Sequence, residues 1–149
     1  VLYGITKHDL SKLQKAQNSA IRFIFGNLIG RWDHISPFLQ KAHFLPVKYR
    51  IEFNVCLLVY KCINNMAPSY LQELLHIRDP KNNSLRADDD YFLLVQPPVP
   101  SLRMSDNAFS FCGPKLWNIL PYDIRSCDKL SFFKSRLKTY FFRKAFFDE

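Results

Sequence analysis

Val47-Lys48-Tyr49-Arg50-Ile51-Glu52-Phe53-Asn54-Val55-Cys56-Leu57-Leu58-Val59-Tyr60-Lys61-Cys62-Ile63-Asn64 decides the fold of this 149-residue chain. Ile51, Val55, Leu58 and Cys62 recur at helical spacing on one side. Phe53, Cys56, Leu57, Tyr60 and Ile63 occupy the other. A helix that is apolar nearly all round must be covered on most sides, so this one is expected at the centre of the core. Pro46 opens it. Met66-Ala67-Pro68 breaks it, and Ser69–Leu75 restarts as a short helix.

Upstream, residues 9–25 read as an amphipathic helix with Leu10, Leu13, Ala16, Gln17, Ala20 and Ile24 inward. Asp9 or Ser11 is its expected cap, and Gly26 its end. Lys12, Lys15, Ser19 and Arg22 line the opposite face. Such a stripe suits a phosphate backbone, or is simply a solvated face. Ser36-Pro37 predicts a cap followed by a proline in the first turn of a short helix, with Phe38, Leu39 and Ala42 inward.

Downstream, residues 78–90 are polar and charged and read as a surface loop. Tyr91–Val95 and Val99–Met104 are short apolar runs that pair as a β-hairpin, at about residues 91–104. Pro97-Pro98 confines such strands to an edge. Asn107–Leu120 gathers Phe109, Phe111 and Trp117 around Gly113-Pro114. Asp128 is the expected cap of a last helix over about 129–144, with Leu130, Phe133, Leu137, Tyr140 and Phe141 inward. Lys134 and Lys138 lie on one flank of it, Arg136 and Arg143 on the other. Phe142 and Phe146, one turn apart on the far side, either pack against a neighbour or stack on nucleic-acid bases. The fold class is therefore mainly α: one helical domain spanning residues 1–149 with a short β-hairpin.

The net charge of +8 is uneven. Residues 1–50 carry eight Lys/Arg against two acids, residues 51–100 four against six, and residues 101–149 nine against five. Basic ends around a less basic middle suit an RNA or DNA phosphate backbone. The candidate contacts are Lys12, Lys15, Arg22, Lys134, Arg136, Lys138 and Arg143. No membrane partner is expected, since the longest wholly apolar run is Val55–Tyr60 and a spanning helix needs about 20 residues. No signal peptide is expected, so the Asn82-Asn83-Ser84 sequon is given no weight. The expected location is intracellular, nuclear or cytoplasmic, with Cys56, Cys62, Cys112 and Cys127 reduced. Val1 is not an initiator methionine, so the chain is expected to be a fragment.

Catalytic and metal patterns are not seen. No cysteine pair has zinc-knuckle spacing, so neither metal nor cofactor is expected. His8, His34, His43 and His76 lie apart in sequence, and no glycine-rich phosphate loop occurs among four glycines. Ala87-Asp88-Asp89-Asp90 looks like a polymerase carboxylate turn, which holds two magnesium ions between apolar strands. Here Arg86 stands in the aromatic position and Asn82-Asn83-Ser84 replaces the upstream strand, so a solvated acidic loop is expected.

The order of short motifs carries a resemblance. Leu13-Gln14-Lys15-Ala16-Gln17-Asn18-Ser19-Ala20 comes first, then His34-Ile35-Ser36-Pro37. Leu45-Pro46-Val47 with Arg50-Ile51 follows, then Tyr60-Lys61 and Ala67-Pro68-Ser69-Tyr70-Leu71. Next come Leu85-Arg86, and Pro114-Lys115-Leu116-Trp117-Asn118 with Leu120-Pro121 and Ile124-Arg125. Phe132-Phe133-Lys134 through Leu137-Lys138 closes the set. In this order they resemble the C-terminal region of the reverse transcriptase of non-LTR, LINE-type retrotransposons. The likeness runs from about Leu2 to Phe142. Phe44 stands where that family commonly has Trp, and Asn65-Met66 replaces a glycine-containing pair.

The resemblance implies a segment that follows the polymerase thumb of a longer polyprotein, whose parent is an RNA-directed DNA polymerase with an endonuclease. No catalytic residue of the family maps onto this chain, so no enzymatic activity is expected of it. Three expectations stand beside one another. The segment assists template RNA or target DNA binding, braces the polymerase domain of its own parent chain, or is a non-functional relic.

Overall fold

The computed structural model describes residues 3–78, 93–97 and 108–147. Seven α-helices lie among the described residues: α1 (Lys7–Phe25), α2 (Ser36–Lys41), α3 (Val47–Ile63), α4 (Ser69–Gln72), α5 (Phe109–Ile119), α6 (Tyr122–Arg125) and α7 (Leu130–Phe146). A 3-10 turn, Gly26–Leu28, follows α1.

α3 is the central element and packs against α1, α4, α5 and α7. Val55, Cys56, Val59, Tyr60 and Cys62 are buried along it, as their near-continuous apolar pattern requires. Arg50 and Asn54 form a narrow exposed edge on the same helix. The main core joins α3 to Trp117 of α5, Leu120 just after it and Ile124 of α6, and to Phe133, Leu137 and Phe141 from α7. Phe133 is its hub. Its ring stacks on Tyr60 at 4.1 Å and lies 5.8 Å from Trp117. The Tyr60 hydroxyl then donates to the Cys127 carbonyl at 2.9 Å, so its one polar atom is satisfied. A smaller cluster of Ile21, Ile29 and Leu39 joins α1 to α2, with Phe25, Phe38 and Phe146 against it.

The run around Gly113-Pro114 is helical, which residue propensities do not favour. Pro114 gives up one helical hydrogen bond inside α5. Burial decides the matter: Cys112, Gly113, Pro114 and Trp117 are all enclosed. A Cβ on Gly113 would stand 3.1 Å from Val59 Cγ2, so glycine is what lets α5 lie so close to α3.

α1 is rotated relative to the expected stripe. Leu10 and Gln17 are half-buried as expected, but Leu13, Ala16, Ala20 and Ile24 are exposed, whereas Ile21 is buried and Gln14 and Phe25 are half-buried. The amides explain the rotation. Gln17 donates to the Leu45 carbonyl at 2.8 Å, and Gln14 accepts from the Val47 N–H at 3.0 Å. Gln14 also donates to Gln17 and Asn18. Val47 opens α3, so Gln14 satisfies one of the N–H groups that a helix start leaves without a partner. The start of α1 lies earlier than expected. Thr6 caps it, accepting from the Asp9 N–H and donating to the Asp9 carboxylate, a reciprocal arrangement. α7 follows Lys129 with no side-chain cap, so Asp128 does not play that part.

The expected hairpin at about 91–104 does not form. No β-strand occurs among the described residues, and residues 91–92 and 98–104 lie outside them. Leu94 instead makes an isolated antiparallel bridge with Ile77, just beyond α4. Arg78 N–H donates to the Leu93 carbonyl and Val95 N–H to the His76 carbonyl, both at 2.8 Å. The Leu94 backbone is taken up by the Asn118 side chain, which accepts from its N–H and donates to its carbonyl, each at 2.9 Å. With both groups occupied, Leu94 has nothing left to offer a second strand. Asn118→Ala leaves a buried residue's N–H and C=O without partners and is expected to destabilise the fold by about 1–3 kcal/mol. A urea-unfolding midpoint unchanged from the parent would contradict this role.

Candidate nucleic-acid interface

The seven cations singled out in the sequence part company in the structure. Arg22 donates to the Gly30 and Asp33 carbonyls at 2.9 and 3.2 Å, holding the turn after α1. Arg136 donates to the Asp123 carbonyl at 2.7 Å and ties α7 to α6. Lys12 pairs with Asp9 at 3.8 Å one turn away. Lys15 and Lys134 are exposed on separate helices, α1 and α7. Lys138 and Arg143 are exposed on α7 and come together at a groove.

Three neighbouring pockets make up that groove, each sharing lining residues with the next. The first, about 270 Å³, lies between Ala20 and Ile24 of α1 and Phe44 and Arg50. The second, about 400 Å³, shares Phe44 and Arg50 with it and runs past Phe53 and Asn54 to His43 and Lys138. The third, about 380 Å³, shares His43 and Lys138 and continues along Ser135, Thr139 and Phe142 to Arg143 and Phe147. Among the described residues no acidic side chain lines any of the three. The side chains of Arg50, Lys138 and Arg143 make no ion pair or hydrogen bond among the described residues. Their charge is thus available to an anion along the whole channel.

The wall between α2 and α3 is shaped by a helix stop. His43 has φ 53°, the left-handed conformation usual for glycine. Its N–H bonds the Gln40 carbonyl and the next N–H, of Phe44, reaches back to Leu39, both at 3.0 Å. This is a Schellman closure of α2 with histidine in the glycine position. The imidazole stacks on Phe142 at 5.6 Å with 27° between planes, which fixes one wall of the groove. Phe142 in turn meets Phe146 at 4.8 Å. Phe142 packs on the main core and Phe146 on the smaller one, so both are half-buried and neither projects free on a far side.

Arg50, His43 and Phe44 were not among the cations and rings picked from sequence. The signal for Arg50 was present: Arg50, Asn54 and Lys61 interrupt the apolar helix on one side. Arg50 and Lys48 also stand in the first turn or so of α3, where the helix dipole disfavours cations and no acid is present. Nothing comparable marks His43, because the left-handed turn carries no glycine.

The thiols contribute no reactive centre to this groove. Burial pushes the Cys56 thiol well above its usual range, with the nearby Glu52 charge adding to the effect. Burial also raises Cys62 and Cys112. Cys127 is half-buried, its Sγ 3.3 Å from the Asp123 carbonyl. Since the thiolate is the nucleophile, native protein is expected to take up iodoacetamide fastest at Cys127, with the other three protected until denaturant is added. Mass spectrometry of the labelled sites checks this; rapid native alkylation of Cys56 would refute the packing of α3.

Among the described residues no group of three His, Cys, Asp or Glu side chains could hold a metal ion. Asp88, Asp89 and Asp90 lie outside the described residues. No described helix is long and apolar enough to cross a membrane. Compared with known proteins, the chain matches no family model, no curated protein and no solved structure.

Proposed function

We propose that this chain is an accessory nucleic-acid-binding segment that acts beside a polymerase and takes no part in bond chemistry. It grips the phosphate backbone of template RNA or target DNA in the nucleus or cytoplasm. One observation carries the reading: Arg50, Lys138 and Arg143 line neighbouring pockets that share walls, with no acid among their described lining residues. The motif order that resembles the C-terminal region of LINE-type reverse transcriptases supplies the polymerase context. The two terminal basic regions marked in the sequence contribute unequally in this reading. Lys138 and Arg143 are contacts, Lys15 and Lys134 add long-range attraction, and Arg22 and Arg136 hold backbone carbonyls.

Salt dependence tests it. Three neutralised phosphates give a slope of about −2.7 for duplex and −2 for a single strand in log affinity against log salt. Between 50 and 200 mM salt the affinity should therefore fall about twenty- to forty-fold. Fluorescence polarisation with labelled RNA and DNA of equal length measures this directly. A flat dependence, or no binding at 50 mM salt, would sink the proposal.

A second reading has its own support. Phe23, Ile24, Leu28 and Trp32 are exposed at the α1 end, Phe23 and Trp32 to about nine-tenths. Large exposed apolar side chains close together in sequence suit a protein contact. In the brace reading this surface seats on the polymerase domain of the parent chain, and charge reversal in the groove changes nothing.

A further inference from the structure

We infer that the groove takes a single strand, with bases stacked on its rings and phosphates held by its cations. The inference rests on the nucleic-acid reading above and specifies the occupant.

Three observations carry it. First, rings and cations alternate along the channel. Phe44 stands with Arg50, His43 with Lys138, and Phe142 and Phe147 with Arg143. A duplex turns phosphate and sugar outward and keeps its base faces hidden, so rings would gain nothing from it. An unpaired strand offers a flat face at every base, and base–aromatic stacking is tolerant of sequence. Second, the rings are accessible. Phe44 is 41% and Phe147 64% exposed, at opposite ends of the His43–Phe142 stack that walls the groove between them. Third, the compartments are small. About 270, 400 and 380 Å³ lie at the lower end of the roughly 300–1,000 Å³ of small-molecule pockets. Each can admit a base; none can admit a double helix. Asn54, Ser135 and Thr139 in the lining add polar groups that base edges or sugars can meet.

An abasic strand separates stacking from charge, because it keeps every phosphate and lacks every base. The full chain is titrated with a labelled 12-nucleotide oligo-uridine, an abasic strand of equal length and a duplex of equal length, all at 100 mM salt. The base-bearing strand is expected to bind about thirty-fold or more tighter than the abasic one, as two stacked rings at the low end of the known range imply. Phe44→Ala/Phe147→Ala should remove that difference, while Phe44→Tyr/Phe147→Tyr should keep it. Both positions are exposed, so these variants should fold, which circular dichroism checks. Equal affinity for the abasic and base-bearing strands overturns stacking and leaves phosphate binding intact. Tighter binding of duplex than of single strand also overturns it. Failure to bind all three overturns the phosphate reading itself, and this inference with it.

Discussion

Phe133→Ala is expected to cost about 3–5 kcal/mol, a large share of the roughly 5–15 kcal/mol that holds a domain folded. The side chain is fully enclosed at the junction of α3, α5 and α7. Truncation removes its transfer free energy and leaves a cavity between Tyr60 and Trp117, two large rings with little room to close in. The ring pairing itself is worth about 0.5–1.5 kcal/mol beyond buried area. Losing it also frees Tyr60, whose hydroxyl holds the Cys127 carbonyl before α7. Phe132, the preceding residue, is 61% exposed, and Phe132→Ala should change stability by less than about 1 kcal/mol. Urea unfolding of the two variants makes the comparison. A Phe133→Ala midpoint close to that of Phe132→Ala would mean that α7 does not seat on α3 as described.

The same junction shows what the sequence discloses about this fold. α3 and α7 were legible because their apolar residues recur with helical period and their burial follows from that period alone. α5 was not, since Gly113-Pro114 reads as a breaker. Only the neighbouring surface of Val59 shows why glycine is needed there. The rotation of α1 was hidden for a related reason. Leu13 and Ile24 outrank Gln14 on any apolar scale, but Gln14 has a backbone partner at Val47, as Gln17, expected inward, has at Leu45, each about thirty residues away. Leu94 was expected to pair forward and instead pairs back to Ile77, because Asn118 claims its backbone.

The groove was half legible. Lys138 and Arg143 stand out as cations on an amphipathic helix, but so do Arg22 and Arg136, and charge alone does not reveal which guanidinium is committed to a carbonyl. Arg50 could have been found, since with Asn54 it breaks the apolar pattern of α3 on one side. Several of the motifs that carry the family resemblance turn out to hold the scaffold. Gln14 and Gln17 grip the Leu45–Val47 turn, Tyr60 anchors Cys127, and Asn118 clasps Leu94. A recognisable motif and a binding residue are thus different things in this chain, which is why the interface had to come from geometry.

That distinction sets the second large expected effect. Arg50→Glu/Lys138→Glu/Arg143→Glu should weaken RNA binding about a hundred-fold at 0.1 M salt. Each phosphate contact on a single strand contributes about 0.7 in the salt exponent, so three lost contacts remove about two decades at that concentration. Folding should survive. All three side chains are exposed and make no hydrogen bond or ion pair among the described residues. Arg143 sits in the last turn of α7, where reversal costs about 0.3–1 kcal/mol against the helix dipole. Arg50 sits near the start of α3, where an acid is favoured by a similar amount, so the two largely offset. General charge is controlled by Lys12→Glu/Lys115→Glu/Lys129→Glu, which lowers the net charge equally from +8 but touches no part of the groove. If the groove is the site, the first triple variant loses both affinity and salt slope, while the second loses little of either. Equal losses in the two would mean that the chain attracts nucleic acid only through its overall charge. Unchanged binding in the first would leave the exposed apolar end of α1, with Phe23 and Trp32, as the surface that matters.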